Sequence, residues 1–277
     1  MSVDVSIATK NSAKTIGRCI NAILESIPVG QLVVVDGEST DNTVAIARSL
    51  GARITLNTGL LGSVRYSQAQ ETSTEWIAII DSDVYVYPTW WTEVSQYMKE
   101  PDVGMILAIG DSPKDRLPIY EDYVTYIAKR FGSVAFSNTL VRRKLILSCN
   151  ELLGNVHAGE DTIFGRYLSK IGMRVVTVRK RLVYHDRNIV NEHPSAFLRW
   201  GQSLRIRGGK DGAREVLKTL KNNLRNWLIF TKETRRLSIS LLLFLLYLWL
   251  WTFIGYVGIK ATAPKAFVDR QTQPCRS

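Results

Sequence analysis

The first 110 residues alternate between apolar segments typical of strands and amphipathic segments typical of helices, and this alternation constrains the fold more than any other feature of the chain. A strand is followed by a helix four times in succession, at predicted strands 3–9, 31–37, 52–56 and 75–80 and predicted helices 13–27, 39–51, 60–71 and 89–100. Strands separated by single helices form a parallel sheet through right-handed crossovers. The pattern therefore predicts an α/β fold with a mostly parallel, Rossmann-like sheet flanked by helices.

Two acidic residues follow the fourth predicted strand, in the stretch EWIAIIDSDVYV. Residues Ile77–Ile80 are continuously apolar, as in a central strand covered on both faces, and Asp81 and Asp83 come at its carboxyl end. Ligands of open α/β sheets bind at that edge. Two neighbouring carboxylates are costly unless a positive charge lies beside them, and a divalent metal carrying a phosphate would satisfy both. The alternative is a turn in which Asp83 caps a helix that begins near Thr89.

The alternation changes after residue 110, because residues 111–131 contain two prolines, mixed charge and several tyrosines. Residues 133–147 have the pattern of a strand entering a short helix, and 173–178 that of another strand after a helix. We expect this half to extend the same sheet rather than to form a separate domain.

A long apolar run lies near the carboxyl end, at Leu237–Ile259, and contains no charged residue. At ~1.5 Å per residue, a helix of this length would be roughly 34 Å long, enough to cross a bilayer. The run therefore predicts a single transmembrane helix. A buried core helix is the alternative, although soluble cores rarely need so long a helix that is apolar all round.

The segment before this run is strongly basic. Residues 199–236 contain eleven Lys and Arg against three Asp and Glu, an excess of eight within a chain whose net charge is +11. Basic clusters beside a membrane helix attract anionic lipid head groups and mark the cytoplasmic side. Nucleic-acid binding is the competing explanation, and we do not expect it, because a basic segment joined to a membrane helix has a nearer partner. The short tail 260–277 is also basic, which weakens the orientation signal.

The amino terminus has neither a basic leader nor a long apolar segment, so we expect no cleaved secretion signal and a catalytic portion on the cytoplasmic side. Cys19, Cys149 and Cys275 are odd in number and widely scattered. This fits a reducing compartment and argues against a disulfide framework or a zinc site.

Five segments together resemble the family 2 glycosyltransferases with the GT-A fold. In chain order they are SIATKN, VVVDGESTDNT, IIDSD, GEDTIFGRYLSKIG and VYHD, and they span residues 3 to about 187. The resemblance implies a nucleotide-sugar donor, a divalent cation, either Mg or Mn, and inversion at the anomeric carbon. Its IIDSD segment matches the D-x-D motif of the family.

The resemblance assigns the donor-binding residues. Thr9, Lys10 and Asn11, after the first strand, and Asp36, after the second, would contact the nucleotide, although Asp36 could instead be a turn residue before a glycine. Glu38 departs from the family pattern, which leaves the choice between a UDP- and a GDP-linked sugar open.

The resemblance also assigns the metal ligands. Asp83 would bind the metal directly, and Asp81 would contact the ribose or complete the metal shell through water. Carboxylate oxygens suit Mg or Mn, and the metal offsets charge on the departing diphosphate. His185 in VYHD matches a position that supplies a further metal or diphosphate contact, although a lone His is more often structural.

Glu160 and Asp161 are predicted to begin a helix. By resemblance Asp161 is the general base that takes the proton of the acceptor, and Glu160 supports it or contacts the acceptor. The alternative is electrostatic, because acids in a first helical turn are favoured by the helix dipole.

Arg199 and Trp200 match part of the Q-x-x-R-W motif of processive sugar polymerases, but the Gln position is Ala196. A single predicted span also offers no export channel, so we do not expect processive synthesis. Arg199, with Arg205 and Arg207, would contact a diphosphate or lipid phosphate, or would lie on a membrane-facing amphipathic helix.

The sequence thus predicts a membrane-anchored, single-pass transferase that passes a sugar to a membrane-associated, lipid-linked acceptor. Its predicted parts are a catalytic domain at 1–198, a basic amphipathic segment at 199–236, the membrane helix at 237–259 and the tail at 260–277. A nucleotidyltransferase on a similar sheet and a non-catalytic membrane scaffold are the alternatives. The basic, glycine-rich first loop that the former favours is absent from ATKNSAKT, and the acids at 83 and 161 argue against the latter.

Overall fold

The structure is a computed structural model that describes residues 2–111, 118–154, 156, 158–186, 197–205 and 212–258. Eight strands lie within these residues: β1 Val3–Thr9, β2 Val29–Asp36, β3 Arg53–Leu56, β4 Trp76–Asp81, β5 Val84–Val86, β6 Val103–Asp111, β7 Asn138–Arg142 and β8 Arg174–His185. The α-helices are α1 Ile16–Ser26, α2 Thr43–Ser49, α3 Leu61–Gln70, α4 Trp90–Ser95, α5 Pro118–Phe131, α6 Arg143–Leu147, α7 Asn150–Leu153, α8 Glu160–Lys170, α9 at 197–205, α10 Gly212–Thr234 and α11 Ile239–Val257. A 3₁₀ turn, Gln96–Lys99, follows α4.

The described strands form one sheet in the order β3-β2-β1-β4-β7-β6-β8-β5. β1, β2, β3 and β4 pair in parallel, each connected to the next by one helix, which confirms the alternation predicted from the first 110 residues. β7 runs antiparallel between β4 and β6, so the second half extends the same sheet, as predicted. The sheet is therefore mixed beyond β4, and α5 lies in a segment for which the sequence predicted no regular element.

β4 is covered on both faces, as its continuous apolar run predicts. Ala78 and Ile80 pack into one core, with α1 and α4, whereas Ile77 and Ile79 pack into a second core on the other face, with α3, α6 and α8. All four side chains are fully buried, and burial of each of the three isoleucines stabilises the fold by about 1.5–3 kcal/mol.

The first core also takes most of the apolar face of α1. Ile16, Ile20, Ile23 and Ile27 are buried there, whereas Leu24, which fits the same helical spacing, is half exposed. Cys19 and Cys149 are both buried, one in each core.

The carboxyl-terminal helices form a third cluster with α5. Tyr123 of α5 packs with Phe230 of α10 and with Leu241 and Leu245 of α11. α11 is long and apolar enough to cross a membrane by length and composition, and it is the one such helix among the described residues. It lies inside the predicted span 237–259, whose last residue falls outside the described residues, as does the predicted tail 260–277. The predicted domain boundaries stay predictions.

Candidate active site

Three parallel strands bring their carboxyl ends together at one edge of the sheet. Thr9, the last residue of β1, pairs with Asp36, the last residue of β2. Ala8, one residue earlier, pairs with Asp81, the last residue of β4. The register of the sheet therefore places the predicted nucleotide contacts and the first acid of the D-x-D motif in one row.

Hydrogen bonds connect the loop after β1 to the loop after β2. The Asn11 N–H donates to the Ser39 hydroxyl at 2.8 Å, and the Asn11 side-chain oxygen accepts from the Thr40 N–H at 2.8 Å. Asn11 and Glu38 both have positive φ, of 52° and 66°. Such backbone is unfavourable for non-glycine residues and persists only where the surrounding contacts hold it. The two loops therefore form a fixed surface beside Thr9 and Asp36, with Lys10 exposed on it.

Asp36 shapes the second of these loops. Its two carboxylate oxygens accept from the Ser39 N–H at 2.8 Å and the Ser39 hydroxyl at 2.6 Å, and the residue is buried. A carboxylate has about four acceptor sites, so these bonds leave room for a ligand hydroxyl or N–H. The buried Thr9 hydroxyl has no hydrogen-bond partner within the described part of the chain. The turn role that the sequence left open for Asp36 is thus present, and it does not prevent a ligand contact.

The two acids of the D-x-D motif have different partners. Asp81 Oδ1 accepts from Arg65 Nη2 of α3 at 3.0 Å. Asp83 Oδ1 lies 3.3 Å from His185 Nε2 at the end of β8. The intervening Ser82 hydroxyl is 2.9 Å from the Ser12 hydroxyl in the first loop, which ties the motif to that loop.

His185 reaches Asp83 because of a short strand that the sequence analysis did not predict. β5 begins one residue after Asp83 and pairs antiparallel with the end of β8, so that Val84 lies opposite His185. The Asp186 N–H also donates to the Asp83 carbonyl at 2.7 Å. Asp83 and His185, two of the three residues for which the resemblance implies metal contact, are therefore adjacent.

Asp83 and His185 fit a divalent cation that keeps several water or phosphate ligands. Neighbouring ligands of an octahedral ion at about 2.0–2.1 Å lie roughly 3 Å apart, close to the separation of these two atoms. Mg²⁺ and Mn²⁺ are commonly held by one or two protein side chains together with substrate phosphates. No group of three or more His, Cys, Asp or Glu that could hold a metal occurs among the residues that the structure describes. Asp83 and His185 would by themselves supply only part of the coordination shell.

Behind the motif, the Cys19 thiol donates to the Asp81 carbonyl oxygen at 3.5 Å. Burial, with the charges of Asp83 and Asp81, raises the pKa of this thiol, so it stays neutral. Cys19 is therefore a packing residue beneath the site.

Arg65 is a residue of the candidate site that the sequence did not predict. Its side chain is only 4% exposed, bonds Asp81, and has its Nε 3.6 Å from Glu160 Oε1 at the start of α8. A third contact runs from Nη1 to the Gln68 side-chain oxygen at 3.2 Å. Burial alone would lower the pKa of Arg65, but the charges of Asp81 and Glu160 outweigh burial and raise it. Arg65 thus stays charged and joins the D-x-D motif to the acids of α8.

α8 begins at Glu160, as predicted, after Gly159 in a left-handed conformation with φ 79°. Glu160 is buried, whereas Asp161 is partly exposed and accepts from the Thr162 N–H at 2.6 Å. Burial raises the pKa of Glu160; Arg65 opposes the shift and Asp161 adds to it, and the net direction is upward. Of the two acids, Asp161 is therefore the more accessible to an acceptor and Glu160 the one held by Arg65.

Arg199 is not connected to these residues by any bond among the described ones. It is exposed on α9, which packs closely against α11, with Gly201 beside Thr252 and Leu198 beside Gly255. Arg207 lies outside the described residues. The structure thus brings together the acids, His185 and the two loops, but it does not add Arg199 to them.

Known proteins similar to this chain are glycosyltransferases. The sequence profile of the family described as Glycosyl transferase family 2 matches residues 4–146, slightly more than half of the chain. An uncharacterized glycosyltransferase of Rickettsia felis is 40% identical over 79 residues, which are 28% of this chain and 27% of that protein. One of Rickettsia bellii is 43% identical over 79 residues, 28% of this chain and 26% of that protein. The match spans only about a quarter of the length of these relatives.

Solved structures with a similar fold include glucosyl-3-phosphoglycerate synthase from Mycobacterium tuberculosis. Its complex with Mg²⁺ and uridine diphosphate has a TM-score of 0.52 and 17% identity, covering 72% of this chain and 77% of that one. Its complex with Mn²⁺, uridine diphosphate and phosphoglyceric acid has a TM-score of 0.50 and 17% identity, covering 69% and 72%. At this identity the likeness concerns the fold.

Proposed function

Because the chain belongs to glycosyltransferase family 2, and is accordingly a glycosyltransferase, we propose that it moves a sugar from a UDP- or GDP-linked donor to a membrane-associated, lipid-linked acceptor. The transfer would invert the anomeric carbon and would require Mg²⁺ or Mn²⁺. The family assignment argues against both a nucleotidyltransferase and a non-catalytic scaffold.

One observation carries the proposal: a continuous set of contacts from the nucleotide edge of the sheet to the acids of α8. Asp81 is bonded to Arg65 at 3.0 Å, and Arg65 lies 3.6 Å from Glu160, whose neighbour is Asp161. A donor bound at the ends of β1, β2 and β4 would therefore have its sugar on the side where these acids lie. Donor binding and proton transfer require such proximity.

The donor side has the groups that a nucleoside diphosphate needs. Asp36 and Thr9 offer buried polar atoms to a ribose or base, with Lys10 and Asn11 on the adjoining loop. Asp83 and His185 would hold the cation, which when bound offsets the charge of the leaving diphosphate. The structures of similar fold contain uridine diphosphate with Mg²⁺ or Mn²⁺, which is consistent with this assignment.

On the acceptor side, Asp161 is the more exposed of the two acids at the start of α8. Asp161 would take the proton of the acceptor hydroxyl as its oxygen attacks the anomeric carbon, while the bond from that carbon to the diphosphate oxygen breaks on the opposite face. Attack from one face and departure from the other inverts the configuration. Glu160, buried and held by Arg65, would position α8 rather than exchange the proton.

The membrane-linked acceptor is proposed from the carboxyl-terminal region. α11 is apolar enough to enter a bilayer, and the basic residues between 199 and 236 suit an anionic, cytoplasmic lipid surface. An acceptor carried by a lipid would then be delivered on the side where the catalytic portion is held.

The test is calorimetric titration of the full-length protein in detergent with UDP and with GDP, each with and without Mn²⁺. Asp83→Ala and His185→Ala should each lose metal-dependent affinity by roughly 10- to 100-fold, because each removes a strong contact to the ion. Asp102→Ala is the matched control. Asp102 immediately precedes β6, so it lies at the amino ends of the parallel strands, away from the candidate site, and it pairs with Arg174. Unchanged nucleotide affinity in Asp83→Ala with Mn²⁺ present would remove the metal assignment.

A further inference from the structure

α11 has two unlike faces along its whole length. Leu241, Leu245, Leu248 and Thr252 are buried within the protein at intervals of three or four residues. The opposite face is apolar and exposed, at Ile239, Leu243, Leu250, Phe253, Ile254 and Val257. A helix that crossed the bilayer alone would meet lipid all round, so this asymmetry needs an explanation.

Other helices of the protein contact α11 near both of its ends. Near its start, Arg236 pairs with Asp122 of α5 at 2.9 Å. At its other end, Arg205 of α9 donates to the carbonyl oxygens of Tyr256 at 3.2 Å and Val257 at 2.8 Å. Both ends of α11 are therefore held by charged side chains of the same protein body.

α10 lies beside α11 in the opposite direction. The Trp249 indole donates to the Val216 carbonyl at 3.0 Å, and the Trp227 indole donates to the Ser238 carbonyl at 3.1 Å. The part of α10 between these two contacts carries Lys218, Lys221 and Arg225. If α11 spanned the bilayer in this packing, these cations would enter the hydrocarbon core, where charged side chains are strongly disfavoured.

α10 adds a second apolar stripe next to α11. Leu217, Leu224 and Leu228 are exposed and lie within about 40° of one another around the helix axis. Trp227 contacts α11 and Phe230 contacts α5. Around the axis of α10, the three leucines lie about 80° from Trp227, on the side away from Phe230. The stripe therefore continues the outer face of α11 rather than turning towards the catalytic core.

A strip of positive charge borders this stripe. Lys221, Arg225 and Lys232 are exposed about 40–80° further round α10 than the centre of the leucine stripe, and the Arg225 guanidinium lies over the Phe131 ring of α5 at 5.8 Å. Leucines beside lysines and arginines are the composition of a helix that rests on an anionic lipid surface, with the apolar side chains below the head groups and the cations among them.

We propose that α10 and α11 dock as a hairpin on the surface of an anionic bilayer, with both helix axes parallel to the membrane plane, in place of the single span predicted from the sequence. The docking surface consists of Leu217, Leu224 and Leu228 of α10 and Leu243, Leu250 and Val257 of α11, bordered by the basic strip. This orientation keeps every observed contact of α11 intact and places the catalytic portion against the cytoplasmic leaflet.

Depth measurement separates the two orientations. Ile239→Cys, Leu250→Cys and Val257→Cys, each with Cys275→Ser, place a fluorescent label at the ends and the middle of the exposed face of α11; Cys19 and Cys149 are buried. Quenching by lipids with shallow or deep nitroxides should place all three labels at one shallow depth. A deep label at 250 between two shallow ones would establish a span and overturn the proposal.

Charge reversal tests the basic strip on the intact protein. Each Lys or Arg near an anionic surface strengthens binding about fivefold, so Lys221→Glu/Arg225→Glu/Lys232→Glu should weaken partitioning to phosphatidylcholine vesicles containing phosphatidylglycerol by about 100-fold or more. Lys99→Glu/Lys144→Glu/Lys170→Glu is the matched control, because it makes the same change in charge at exposed lysines of the catalytic portion. This control should weaken partitioning to the vesicles much less than the triple variant of the basic strip does.

Two other outcomes would also overturn the proposal. Equal weakening by both triple variants would mean that overall charge, not this surface, attracts the protein. Labels shielded without vesicles, in a protein that sediments as a dimer, would mean that a second copy covers the surface. Vesicle binding involves neither donor nor acceptor, so this proposal and the proposed transfer reaction can fail separately.

Discussion

Replacement of Arg65 by methionine tests whether the buried guanidinium organises the site. Met has a similar length and no charge, so Arg65→Met leaves Glu160, with a side chain only 7% exposed, beside Asp161 without its cation. Breaking a buried ion pair by removing one partner costs about 3–5 kcal/mol. For a domain of this size each kcal/mol lowers Tm by about 2–4 °C, so we expect a loss of roughly 6–20 °C.

The measurement is thermal unfolding of the full-length protein in detergent, at neutral pH. Arg166→Met is the matched control, because Arg166 pairs with Glu215 at a similar distance of 3.1 Å but is 64% exposed. Exposed pairs contribute about 0–1 kcal/mol, so this variant should shift Tm by no more than a few degrees.

A second substitution separates the unpaired charge from lost packing. Arg65→Met/Glu160→Gln removes the carboxylate that the first change leaves buried, so it should recover at least half of the lost Tm. Asp81, which is more exposed, can be hydrated and needs less compensation. If Arg65→Met shifts Tm no more than Arg166→Met, or if the double variant recovers nothing, then Arg65 does not compensate Glu160 and the reasoning is wrong.

Three further predictions concern the helices around the site. Asp161→Asn should lower turnover by about 10²–10⁴ with donor affinity unchanged, as expected for a general base; near-normal turnover on a hydroxyl acceptor would exclude that role. The pKa of Glu160 is raised above its ordinary 4.5, so the stability its protonated form contributes is present below pH 4.5 and lost as pH rises through the folded pKa. The Tm of Glu160→Gln relative to the unchanged chain should thus rise from pH 4.5 upward, whereas a constant difference would contradict the shift. Gly62→Ala should destabilise by about 1–3 kcal/mol or more in urea unfolding, because its Cβ would lie 1.8 Å from the Leu153 carbonyl; Gly17→Ala, 3.4 Å from a methyl group, should be neutral or stabilising, and equal effects would refute the contact.

The sheet and one row of site residues were predictable because their signals are local. A continuous apolar strand followed by acids defines both a buried element and the end at which its polar groups emerge, as in β4 with Asp81 and Asp83. The position of Glu160 at the start of α8 was also predictable from a local signal, because a helix start can be recognised from neighbouring residues. The roles of these residues in donor binding and catalysis stay predictions.

Arg65 could not be predicted in the same way, because its partners are far away in the chain. It is 16 residues from Asp81 and much further from Glu160, and no periodicity links them. A weaker signal exists: Arg65 is the only charged residue of α3, a helix that precedes the acid-bearing strand. A single cation on an otherwise uncharged helix is a candidate for burial against acidic side chains.

The sequence also could not predict which face of α11 packs against the rest of the protein. Its apolar residues surround the whole helix, so their pattern does not distinguish the face that contacts α5, α9 and α10 from the exposed face. The distinction comes from tertiary contacts such as Arg205 to Val257, between residues separated by 52 positions. Length and hydropathy indicate that a helix enters an apolar environment, but they do not reveal whether protein already occupies one side of it.

Arg65 offers a physical reason why each acidic pair would divide its work. In the pair Asp81 and Asp83, the first acid is held by Arg65 and the second is directed to His185. In the pair Glu160 and Asp161, the first acid is buried against the same guanidinium and the second is more exposed. An acid fixed by a buried cation has its charge compensated and its position set, which suits it to orient its neighbours. The remaining member of each pair is then the one suited to an incoming ligand, the cation at Asp83 and the acceptor at Asp161.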